Sequence, residues 1–159
     1  MKRFFSALCL ATGLLTSAEA FSQTAKVQVI HNCADPAAAQ VDIYLNGQPV
    51  APLDNFAFRT ASGFVDLPAG MPITIGVAPG SSTSYADTLK TFTLTLETGK
   101  TYVAIAGGVI DPSKFAANAD PNAKPLSFNL YPMGGQQMAK DMNKVELLVF
   151  HGATDAPAV

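Results

Sequence analysis

The chain has no tryptophan, only two cysteines and few charged residues, 14% of its 159 positions. Each shortage narrows what it can do. Without Trp, a sugar-binding platform would have to rest on exposed Tyr and Phe, of which there are four and ten. Ten Lys and Arg against twelve Asp and Glu leave a net charge of −2, with no basic cluster. Nucleic-acid affinity depends on Lys and Arg neutralising phosphates, so that class of partner is not expected. Helix signals are nearly absent. Beyond the N-terminus, no segment holds the roughly 20 consecutive apolar residues that a membrane span requires.

Residues 1–20 are predicted to be a secretory signal peptide. Lys2 and Arg3 precede the apolar run "FFSALCLATGLLTSA", and "AEA" at Ala18 to Ala20 puts small residues where a signal peptidase reads them. Cleavage is expected after Ala20, and the mature chain is expected to be secreted or displayed at the cell surface. Removing Lys2, Arg3 and Glu19 takes the net charge from −2 to −3. Cys9 leaves with the signal; it lies inside the apolar run after "SAL", a context that does not favour lipidation. Only Cys33 then remains, so no intrachain disulfide can form within this stretch. Its place after an apolar strand predicts burial, and the core must stand on packing alone.

What the mature chain does have is strand signals. "KVQVIH" (Lys26–His31) sets Val27 and Val29 on one face, and "QVDIYL" (Gln40–Leu45) sets Val41, Ile43 and Leu45 against Asp42 and Tyr44. Asn46-Gly47 follows, a strong hairpin signal because both residues tolerate the positive φ of a type I′ turn. "GFVDLPAG", "PITIGVA" (Pro72–Ala78) and "LKTFTLTL" (Leu89–Leu96) read as further strands, with Phe92, Leu94 and Leu96 inward and threonines outward. "SSTSYAD" (Ser81–Asp87) reads as a polar loop. The nearly continuous apolar run "TYVAIAGGVI" (Thr101–Ile110) predicts a central strand, and "LSFNLYP" puts Leu126, Phe128 and Leu130 on one face. Seven or eight short strands joined by turn chemistry predict an all-β, immunoglobulin-like antiparallel two-sheet sandwich over residues 25–133. Residues 134–144, polar and glycine-containing, read as a linker.

The chain also repeats itself. "LLVFHGATDAPAV" (147–159) lies on "VQVIHNCADPAAAQV" (27–41), starting at an offset of 120 residues, with His151 on His31 and Asp155 on Asp35. Allowing two extra residues in the first copy, Val159 falls on Val41, and Pro157 follows the acidic turn as a proline does in copy one. His-x-x-x-Asp after an apolar strand, twice, is best explained by duplication. Residues 145–159 are therefore expected to be the first strand and turn of a second repeat, cut short.

These same residues carry a resemblance. "VQVIHNCADPAAAQVDIYLNG" and "LLVFHGATDAPAV" are similar to a bacterial family known as domain of unknown function 4397. The matching positions are His31, Asp35, Val41, Asp42, Tyr44, Asn46 and Gly47, with "LPAG" and "LETGKTYVAIAGG" further on. Pro36 directly after Asp35, and two added residues, depart from the usual pattern. The resemblance implies a secreted or envelope-exposed β-sandwich module, often in tandem, with no catalytic activity attached; the style of "DIYLNG" and "FAFRTAS" is reminiscent of Bacteroidetes proteins.

His31, Asp35 and Asp42, with His151 and Asp155, form the one constellation. A His with carboxylates could hold a divalent metal, but each copy supplies a single His and no Cys partner. The plainer expectation is structural: His31 ends a strand and Asp35 holds the turn by accepting backbone N–H bonds. No cofactor is expected. Catalysis is weakly supported, since no G-x-S-x-G elbow occurs, and Asp42, Asp66 and Asp87 are placed at strand edges or loops like ordinary solvated carboxylates. Tyr44 and Tyr85 are the best exposed aromatics, whereas Phe56 and Phe58 share a parity that fits the core. The reading is a non-enzymatic extracellular or surface module, a spacer or adhesion unit. Its partners would be further repeat modules, and a cell-surface glycan or protein. A carbohydrate-binding module is the alternative, and a metal-dependent hydrolase comes third.

Overall fold

The computed structural model describes residues 23–118, 120, 125–135, 141–145 and 147–153. The expected signal peptide, the middle of the expected linker, Asp155 and Pro157 lie outside the described residues.

Two sheets form. In the first, β5 (Val65–Pro68), β1 (Thr24–Cys33), β8 (Thr101–Gly108) and β9 (Asn129–Gly134) lie side by side in that order. In the second, the order is β3 (Gln48–Pro49), β2 (Gln40–Leu45), β6 (Pro72–Pro79) and β7 (Lys90–Thr95), with β4 (Phe56–Ala57) also pairing to β2. The two sheets make an all-β sandwich. Its apolar interior is lined from one side by Val27, Val29, Ala104, Ala106 and Leu130, and from the other by Val41, Ile43, Val77, Leu94 and Leu96. The alternation in β7 holds: Phe92 and Leu94 are half-buried, Leu96 is buried, and Thr91, Thr93 and Thr95 are exposed.

Among the named strands one pairing departs from a purely antiparallel scheme. β1 and β8 run parallel, with Val29 opposite Ala104 and His31 opposite Ala106. Strands flanked on both sides read as continuous apolar runs, and "YVAIA" in β8 fits that position.

The Asn46-Gly47 turn forms as its residues dictate. Asn46 has φ 48° and Gly47 φ 82°, and Tyr44 pairs with Pro49 across the hairpin. The Asn46 carboxamide oxygen also accepts the Thr74 N–H at 2.8 Å, fixing the turn against β6. Replacing Gly47 with Ala should cost about 1 kcal/mol, because a Cβ is disfavoured at positive φ even where space is open. Chemical denaturation would show this as a lowered midpoint with an unchanged slope.

Candidate functional site

β1 carries His31 inward with Val27 and Val29, so its ring enters the space between the sheets and is 1% exposed. Phe56 stacks on it at 6.1 Å between ring centroids, and Phe58 approaches edge-on at 6.0 Å. Both ring nitrogens are used. Nδ1 accepts the Cys33 N–H at 3.3 Å, which leaves the proton on Nε2, donated to the Ala38 carbonyl at 2.7 Å. Burial holds the imidazole below its ordinary pKa, against the opposing effect of the Ala38 carbonyl. His31 is thus a neutral clamp between the end of β1 and the start of β2.

Asp35 follows where the chain leaves β1. One carboxylate oxygen accepts the Ala37 N–H at 2.9 Å and caps the 3-10 turn Pro36–Ala38, whose first position Pro36 suits. The other oxygen accepts the Ile110 N–H at 2.9 Å and the Asp111 N–H at 3.4 Å. The side chain is therefore a local cap and also a tie from the end of β1 to the end of β8, some 75 residues away. Cys33, between these two residues, is fully buried, and burial raises its thiol pKa. A protonated, enclosed thiol is a poor nucleophile.

Asp42 and Tyr44 correct the sequence reading. The alternation places both on the outer face of β2, as expected, yet they are 5% and 6% exposed. The Ser81–Asp87 segment folds over them. Ser82 Oγ donates to Asp42 Oδ2 at 2.5 Å and lies 3.0 Å from the Tyr44 hydroxyl, while the Asn55 N–H donates to Asp42 Oδ1 at 2.8 Å. Burial alone would raise the Asp42 pKa, but the Ser82 hydroxyl and the Asn55 N–H outweigh it and hold the carboxyl below its ordinary value. Tyr85 packs edge-on against Tyr44 at 5.9 Å, over Gly76, where a Cβ would sit 2.6 Å from the Tyr85 ring. Tyr44 is thus no exposed aromatic, and Asp42 no solvated carboxylate. Removing the Tyr44 hydroxyl (Tyr44→Phe) should cost about 1 kcal/mol in a denaturant titration, the usual net worth of one hydrogen bond.

The structure does not bring the constellation into one site. Asp35 and Asp42 point their oxygens at different backbone groups, and His31 gives both nitrogens to the backbone. Among the described residues no group of three or more His, Cys, Asp or Glu could hold a metal ion. Of the other predicted positions, Asn46 and Gly47 form their turn and His151 is exposed. Sequence reasoning missed Ser82, whose hydroxyl joins Asp42 to Tyr44; a serine in a polar loop gives no signal of it.

A family model for a domain of unknown function (DUF4397) matches residues 25–159. The chain belongs to this family. The match begins within β1 and runs through the whole sandwich into the second His-x-x-x-Asp segment. A comparison with curated proteins returned no match.

Proposed function

We propose that this DUF4397 chain is a non-enzymatic module of an exported protein, serving as a structural spacer or adhesion unit. One observation carries this reading. The polar atoms of the family-matching residues His31, Asp35 and Asp42 are spent on holding backbone and loop in place, not aimed at a shared space. Residues 1–20 supply the export signal, and further repeat modules of the same chain or surface proteins are its partners.

Two measurements test it. N-terminal sequencing of the exported chain should begin at Phe21; protein retained in the cytoplasm with Met1 in place would overturn the export half. The full chain on a glycan array should give no specific binding. Binding that is abolished by Tyr85→Ala, at unchanged melting temperature, would replace the spacer with a carbohydrate-binding module.

A further inference from the structure

The outer face of the first sheet carries an apolar patch at its centre. In β8, Tyr102, Ala104 and Ala106 point into the sandwich. Val103 and Ile105 therefore point out, yet they are only 8% and 4% exposed. Register places Ile30 of β1 and Tyr131 of β9 on either side of Ile105, and Met133 beside Val103. One row further, Gly107 stands between Asn32 and Asn129 and leaves a hollow in this outer face.

Phe150 fills that hollow. Its ring lies 5.3 Å from the Tyr131 ring, and a Cβ on Gly107 would meet Tyr131 Cε2 at 3.8 Å and two Phe150 ring atoms at 3.9 Å. Gly152 follows closely enough that a Cβ there would sit 2.8 Å from the Asn32 carboxamide nitrogen. Exposure alternates along the approach: Val145, Leu147 and Val149 are each 84% exposed, Leu148 is 44% exposed and Phe150 is half-buried. The 120-residue repeat gives this alternation a meaning. Val145, Leu147 and Val149 correspond to Ala25, Val27 and Val29, the core-facing side of β1, whereas Leu148 and Phe150 correspond to its outer side, Gln28 and Ile30.

From this geometry we infer that the outer face of the first sheet, around Ile105, Gly107 and Tyr131, is a docking surface for the outer side of a β1-type strand, and that its occupant is residues 148–152 of this chain. The inference rests on reading the protein as a module that works in series. Successive modules then stack back to back through the outer faces of their first sheets. The exposed Val145, Leu147 and Val149 are left to face a second sheet like that of β2, β6 and β7.

The test is proton NMR of the full chain, following the Tyr131 ring. A Tyr131–Phe150 cross-peak should appear, and Phe150→Ser should shift the Tyr131 ring resonances while those of Tyr44 and Tyr85 stay in place. Adding a peptide of residues 145–153 to the Phe150→Ser chain should restore the Tyr131 shift. The same peptide with Ser at 150 should not, and neither peptide should act on a chain that also carries Gly107→Leu, which fills the hollow. Tyr131 resonances identical in the parent and Phe150→Ser chains, or restoration by both peptides alike, would overturn the docking surface. Unchanged Tyr44 and Tyr85 signals certify the fold in each variant. The readout is independent of export, so docking can fail while the module reading stands, and the reverse.

Discussion

Replacing Asp35 with Ala should destabilise the sandwich by about 3 kcal/mol, among the largest losses expected from a single polar substitution here. The carboxylate is 6% exposed and accepts the N–H groups of Ala37, Ile110 and Asp111. Truncation leaves those donors without their acceptor and unties the end of β8 from the end of β1. A charge-assisted hydrogen bond contributes roughly 1.5–3 kcal/mol, and three on one group are not additive, so the expected loss falls below the roughly 4.5 kcal/mol at the low end of their sum. Asp35→Asn keeps one oxygen acceptor and should recover part of the loss. Denaturant titrations of the three chains should therefore rank parent, Asn, Ala. Equal stability of the Ala variant and the parent would show that Asp35 does not hold the fold.

Loss of His31 should be of similar size and should carry a pH signature. His31→Ala removes a buried ring packed against Phe56 and Phe58 and strands the Ala38 carbonyl and the Cys33 N–H. A cavity together with two unpaired backbone groups should cost about 3–4 kcal/mol, a fall in melting temperature on the order of 10 °C. The sign of the pH effect follows from burial. The folded imidazole has its pKa lowered from 6.5, so between the two values the unfolded chain binds a proton that the folded chain refuses. Stability from this group is complete above the unfolded pKa of 6.5 and declines as pH falls below it, towards the folded pKa. Protonation would require Nδ1 to stop accepting from Cys33. The parent should lose stability as pH drops from 6.5 into the 5s, and His31→Ala should show a flatter profile there. The same slope in both would assign the effect to other groups. Asp42, whose pKa is lowered from 3.8, adds its own loss only at more acid pH.

Much of this architecture is legible in single residues. Asn46-Gly47 announces a turn because few other pairs accept two positive φ values, and the Phe-Thr-Leu-Thr alternation of β7 allows one orientation against a core. The acidic cap was legible too, since Asp35 before a proline favours a local turn. What was not legible depends on contacts between distant residues. Nothing near Asp35 announces Ile110, and nothing in β1 announces a parallel partner in β8. Tyr44 was misread for the same reason. Its parity correctly put it outside the core, but its exposure depended on where residues 81–87 would fold, and on Gly76 leaving room for Tyr85. Parity reports the side of a sheet, not whether that side is covered.

On a purely structural role for the His-x-x-x-Asp motif and Asp42, no metal contributes to stability. Thermal melts of the full chain with excess chelator, and with chelator followed by excess Zn²⁺, test it most directly. A metal bound only by the folded state, at a free concentration of 100 times its Kd, would add about 2.7 kcal/mol and raise the melting temperature by several degrees. Superimposable curves are expected in all conditions. A melting temperature that falls with chelator and returns with Zn²⁺, and that no longer responds in His31→Ala, would contradict it.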